Sequence, residues 1–114
     1  MFTDANPAQF KKIFIALGRT DLRKGIEGLS TIVNYHFRKD PYEPGTLFLF
    51  CGRKADRIKG LLREPDGFLL LTMRFDEKRF RWPRTEADLL EISPEQFIRL
   101  VHGLEISDHA FRKG

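Results

Sequence analysis

The sequence predicts an α+β fold: a mainly antiparallel five-stranded sheet in the order strand, helix, four-strand meander, helix, with both helices on one face. Three observations carry this. Strand-length runs of apolar or alternating residues recur along the chain, two other stretches repeat apolar residues at three- and four-residue steps, and Pro, Gly and Asp mark the turns between them.

Ile13, Ile15 and Leu17 alternate with Phe14 and Ala16 and stop at Gly18, which reads as a short, largely buried strand. Thr20 or Asp21 can cap the helix that follows, in which Leu22, Ile26, Leu29, Ile32, Val33 and Phe37 form one stripe. Pro41, Pro44 and Gly45 close that unit. Residues 47–51 are a continuous apolar run. In residues 57–63, Arg57, Lys59, Leu61 and Arg63 alternate with Ile58, Gly60 and Leu62, so these are two strands joined by the basic turn 52–56. Pro65, Asp66 and Gly67 make a strong turn, because Pro presets its own φ and Gly accepts a positive one. Residues 68–75 return, Asp76, Glu77 and Lys78 turn the chain again, and Arg79, Phe80, Arg81 and Trp82 alternate as a fourth meander strand that Pro83 ends. Ser93, Pro94 and Gln96 then supply a cap, a first-turn proline and a capping-box glutamine ahead of Phe97, Ile98, Leu100, Val101 and Leu104. An amphipathic helix follows, and residues 107–114 read as a frayed tail.

With 114 residues, 41% of them hydrophobic and 32% charged, the chain reads as one domain spanning residues 1–114, its ordered core over residues 10–106 between short flexible ends. No apolar run approaches the roughly 18 residues of a membrane span, and the N-terminus lacks the apolar core of a signal peptide, so a cytoplasmic protein without membrane contact is expected. A single Cys51 excludes a disulfide framework. His36, His102 and His109 show no ligand-pair spacing, so neither a metal nor a cofactor is expected.

The formal net charge of +4 is unevenly spread: residues 52–84 carry ten basic side chains against five acidic, whereas residues 85–108 carry six acidic against Arg99 alone. Such segregation marks one cationic and one anionic surface, and the cationic one fits a polyanion such as nucleic acid. On the predicted meander the outward set is Arg57, Lys59 and Arg63; if the faces hold register through the turns, Thr72, Arg74, Arg79 and Arg81 join it, with Arg53 and Lys54 in the adjoining turn. This face either tracks phosphates or is a solvated sheet surface covered by Arg stems. Phe80 and Trp82 take the opposite parity and are expected in the core. In the first helix, Arg23 and Lys24 occupy an opening turn where the helix dipole favours acids, so they are either solvated or awaiting an anion. Gly25 and Gly28 share a face of the same helix, which fits close packing against a strand.

At these residues the chain resembles a known family. The stretch from Asp21 through Arg23, Lys24, Gly25 and Gly28 to Leu29, the run Leu47-Phe48-Leu49-Phe50, then Arg53, Arg57 and Lys59, the turn Asp66-Gly67-Phe68, and finally Arg79-Phe80-Arg81-Trp82-Pro83 stand in the order seen in the short accessory protein of the insertion-sequence sixty-six family, also called TnpB. The resemblance runs over residues 13–104. It implies a small protein encoded beside a separate transposase, needed with it for efficient transposition and supplying no catalytic residue.

Three readings of function remain. The first is a DNA-binding accessory factor of low sequence specificity, using Arg23, Lys24 and the basic sheet face. The second is an interaction module in which Glu86, Asp88, Glu91 and Glu95 and the final helix dock the transposase or a second copy of the chain. The third is an enzyme: Asp21, Asp56, Asp66 and Asp76 could hold magnesium, but each sits where a cap or turn already explains it, and Ser30, Ser93 and Ser107 lack a nucleophile context. No catalytic activity is expected.

Overall fold

The computed structural model describes residues 10–84 and 88–106. Its elements are β1 (Lys12–Ala16), α1 (Ile26–Thr31), β2 (Thr46–Cys51), β3 (Arg57–Glu64), β4 (Gly67–Arg74), β5 (Leu89–Ile92) and α2 (Pro94–Val101). One five-stranded sheet runs in the order β4-β3-β2-β1-β5. The fold is α+β and its sheet mixed: β1 and β2 are parallel, with Ile13 beside Leu47, and the other three pairings are antiparallel.

The connection between β1 and β2 is long enough to carry a helix across the sheet, which is what a parallel pair requires and a tight turn cannot supply. After the opening Lys12 and Thr46 both strands are apolar, and β2 is buried along its whole length. Such strands are covered on both faces. Phe14, Ala16, Phe48, Phe50 and Leu61 pack with Leu29 of α1 and with Val33 just beyond its end. Ile13, Ile15, Leu47, Leu49, Ile58 and Leu62 pack with Phe97, Leu100 and Val101 of α2. The helices therefore lie on opposite faces, which corrects the expectation of one helical layer and one open face.

Two further expectations change. The first helix does not start near Leu22: Asp21 bonds the Arg23 backbone N–H at 3.0 Å, and the Lys24 N–H reaches the Asp21 carbonyl at 3.2 Å, so residues 21–24 form a turn. Helix begins only after Gly25, whose extended backbone sets the N-cap. Two cations and two glycines disfavour the earlier start. From Ile32 to His36 the helix widens into a π turn, the Phe37 N–H bonding the Ile32 carbonyl. Likewise Arg79, Phe80, Arg81 and Trp82 form no strand. The fifth strand is β5, which pairs with the free side of β1, Ile13 opposite Ile92 and Ala16 opposite Leu89. α2 has the expected cap: the Ser93 hydroxyl accepts from the Gln96 N–H at 3.1 Å, and the Gln96 side chain accepts from the Ser93 N–H at 2.8 Å. Residues 107–114, expected to form a tail, lie outside the described residues.

Cys51 ends β2 fully buried, and burial pushes its thiol pKa up from 9.0 to about 11. Because the fold disfavours the thiolate, this contribution to stability is complete below the unfolded value near 9 and is lost as pH rises towards 11. Iodoacetamide at about pH 8 is expected to modify the native protein only as fast as the chain opens, and to modify it rapidly in urea. Rapid labelling of the native state would place the thiol at the surface.

Candidate nucleic-acid interface

The ends of all five strands lie at one end of the sheet: the C-termini of β1, β2 and β4 and the N-termini of β3 and β5. Three connections converge there. The Thr20 N–H bonds the Cys51 carbonyl at 3.0 Å, and the Arg84 guanidinium donates to the Gly18 carbonyl at 2.9 Å and the Gly52 carbonyl at 2.8 Å. The Phe75 and Phe80 N–H groups bond the Asp56 and Ala55 carbonyls at 2.9 and 2.6 Å. Gly52 brings the turn close to Leu22, whose side chain would stand 3.2 Å from an added Cβ.

These connections present cations. Gly52 and Ala55 close a tight turn, with Ala55 at φ 58, so that Arg53 and Lys54 stand exposed at its tip. Arg57 and Arg74 are exposed cross-strand partners, like charges directly opposite one another. The Lys59 ammonium donates to the Lys24 carbonyl at 3.2 Å, holding the turn 21–24 against β3. Gly28 lies under the Lys24 stem, where an added Cβ would come within 3.0 Å of the Lys24 Cβ, so its closeness is to that side chain rather than to a strand, and Gly25 has open space around it. A groove of about 400 Å³ runs between the two loops, lined by Arg23, Arg53, Lys54 and Arg57 together with the acids Asp21 and Asp56.

Arg23 is partly neutralised within this groove. Its Nε and Nη2 donate to the two Asp21 carboxylate oxygens, each at 3.0 Å. That bidentate pair holds the Asp21 carboxyl down to about 2, well below 3.8. The pair lies at the surface, and its modest contribution is present above the unfolded value and lost as pH falls through about 2. At neutral pH Asp21 stays ionised. Read as a phosphate-binding surface, this groove predicts that Asp21→Asn strengthens duplex binding and steepens its salt dependence by up to about one unit of log-log slope, measured by fluorescence anisotropy over a salt series. Unchanged affinity in the folded variant would exclude Arg23 from the contact.

The sheet end thus brings together Arg23, Lys24, Arg53, Lys54, Arg57, Lys59 and Arg74, but not the whole predicted face. Arg63 sits at the far end of β3, six residues or roughly 20 Å from Arg57. Its guanidinium is held over the rings of Phe68 and Tyr42, at 4.8 and 5.3 Å, and its buried Nε finds no partner among the described residues. Residues 79–82 cross on the α2 side, burying Phe80 and Trp82 there and leaving Arg79 and Arg81 exposed. Arg79 stands beside Ala55, near the groove, whereas Arg81 lies by Glu105 and Ile106. Neither joins Arg57 on the α1 face. The residue missed by sequence reasoning is Arg84, which ties two of the loops together; its two carbonyl partners are distant in sequence and no local pattern marks it.

The acidic residues are dispersed. Asp88 is exposed, with its carbonyl accepting from the Leu17 N–H and its carboxylate 3.9 Å from His36 Nε2. Glu91 lies on β5 opposite Phe14, and Glu95 occupies the first turn of α2, where the dipole favours an acid. Glu86 lies outside the described residues. Among the described residues, no group of three metal-binding side chains forms a metal site, and no helix is long and apolar enough to cross a membrane.

Comparison with known proteins agrees with the motifs. The chain is 35% identical over 94 residues to the uncharacterized protein y4hO of Sinorhizobium fredii, covering 82% of this chain and 81% of that protein. It is 31% identical over 99 residues to y4jC of the same organism, covering 87% and 84%. No solved structure matches it. The profile described as IS66 Orf2 like protein matches residues 11–110, a span that includes every basic residue of the groove. The chain belongs to the IS66 Orf2-like family, the accessory proteins of that group of transposable elements.

Proposed function

We propose that this chain is a non-catalytic accessory factor of IS66 transposition, working in the cytoplasm beside a separate transposase, and that it holds DNA by the phosphates through the basic end of its sheet. The carrying observation is the convergence of Arg53, Lys54, Arg57 and Arg74 at one sheet end, with the Lys24 turn tied to β3 by Lys59, where Arg57 and Arg74 face each other with no acid between them in the register. Like charges directly opposite destabilise a sheet, and a phosphate placed between them relieves that repulsion. Binding through phosphates carries little sequence information, so it is weak, general and salt-sensitive. The same reading gives Glu86, Asp88 and Glu91 to a cationic surface of the transposase, because acids cannot attract DNA.

An electrophoretic binding assay tests both parts, using element-end duplex and a scrambled duplex of equal length, with and without transposase. The expected result is retardation of both duplexes at low salt and a further shift with transposase. Retardation only when transposase is present would replace the reading with that of a transposase-docking module that does not itself touch DNA.

A further inference from the structure

The two edges of the sheet are built differently. β5 is four residues long and carries Glu91 in the middle of its edge, the protection that sheet proteins use against edge-to-edge pairing. β4 at the opposite edge is eight residues long, reads Gly-Phe-Leu-Leu-Leu-Thr-Met-Arg, and has no charge or proline before its final Arg74. Among the described residues no strand pairs with its outer side. Leu69 is 45% exposed, and Phe68, Leu70, Leu71 and Met73 are only half-buried. Such an edge is a template for another strand.

The hairpin's charges say which strand. Its turn end carries Glu64 and Asp66, and its open end carries Arg57 and Arg74. An antiparallel neighbour with the same layout would set its acidic end against the basic end of the first, at both ends of the contact. That neighbour is a second copy of this chain. A two-fold axis perpendicular to the sheet keeps each residue on its own face, and directly opposed residues must share a face, so only registers pairing positions of equal parity are possible. Centring on Leu70 sets Leu69 against the partner's Leu71 and brings the Asp66 turn beside the partner's Arg74. Centring on Leu71 instead sets Arg74 against the partner's Phe68.

We propose that two copies pair along β4, Leu70 on Leu70, into one continuous ten-stranded sheet. The two-fold then turns the basic sheet ends in opposite directions and engages each Arg74 with the partner's Asp66, so that Arg53, Lys54 and Arg57 remain for anions at each end and the dimer holds two duplexes at once. This last consequence rests on the DNA reading under Proposed function; the pairing itself does not.

Sedimentation of the full chain without DNA, over about 1 to 100 µM, tests the pairing. The expected result is a concentration-dependent dimer that Leu69→Lys converts to a folded monomer, since this side chain is already half in water. Asp66→Lys and Arg74→Glu alone should each weaken the dimer about tenfold or more, each disturbing two contacts per dimer, and together they should restore it. A monomer at every concentration, a dimer unaffected by Leu69→Lys, or single reversals without effect would overturn the proposal. So would a monomer whose capture by the transposase is abolished by Leu69→Lys, because the edge would then belong to that protein. For the consequence, an immobilised duplex should retain a second, labelled duplex with the wild-type chain and not with Leu69→Lys. A confirmed dimer that holds no duplex at all would leave the pairing standing and remove the DNA reading.

Discussion

Replacing Arg53, Arg57 and Arg74 together by Ala is expected to flatten the salt dependence of duplex binding by about 2 to 3 units of log-log slope, since each phosphate left without its cation accounts for roughly 0.9. On the proposed reading, in which phosphate contacts alone hold the duplex, affinity at low salt should fall by about two orders of magnitude or more. The fold should survive. All three side chains are exposed, and removing the like-charge pair Arg57 and Arg74 relieves a repulsion and breaks no packing. Arg81→Ala is the control of a charge change away from the groove: it lies by Glu105 and Ile106 on the α2 side and should leave the slope unaltered. A folded triple variant with the wild-type slope would remove the sheet end as the DNA-binding surface, and a comparable effect per charge from Arg81→Ala would reduce the result to net charge.

The second large effect is on stability. Trp82 is 7% exposed, packs in the core beneath α2, and donates its indole N–H to the Ala16 carbonyl at the end of β1 at 2.8 Å. Trp82→Ala should cost about 3 to 5 kcal/mol, a large share of the roughly 5 to 15 kcal/mol that holds a domain of this kind together. Trp82→Phe keeps most of the apolar packing and removes the hydrogen bond, which points to about 1 to 3 kcal/mol. Urea unfolding followed by circular dichroism measures both. The native tryptophan emission should be blue-shifted, as for an indole out of water. A water-like emission, quenched by single-stranded DNA, would mean that the ring is a stacking surface instead.

Trp82 also illustrates what sequence reading can reach. The alternation Arg79, Phe80, Arg81, Trp82 correctly put Phe80 and Trp82 inside and both arginines outside. The strand expected from it does not exist. Alternation follows from extended backbone alone and needs no ladder, whereas a strand needs a free edge to pair with. The edge available on β1 goes to residues 89–92, a four-residue segment whose three apolar side chains lie within the acidic stretch.

Local chemistry by itself determined β1 through β4 to within a residue or two, the capping box that starts α2, the α+β class and the family motifs. Each of these depends on neighbours two to four positions away, where periodicity, turn residues and caps act. The uninterrupted apolar runs 13–17 and 47–51 even carried the signal of strands covered on both faces, although alternation in β3 favoured a one-sided sheet. Tertiary structure alone decided that the helices take opposite faces, that β1 lies between β2 and β5, and that the cations gather at a sheet end while Arg63 and Arg81 are left apart. The physical reason is that a side chain's inward or outward direction is set by its own backbone, but which strand it lies beside is set by hydrogen-bond partners and buried area tens of residues away.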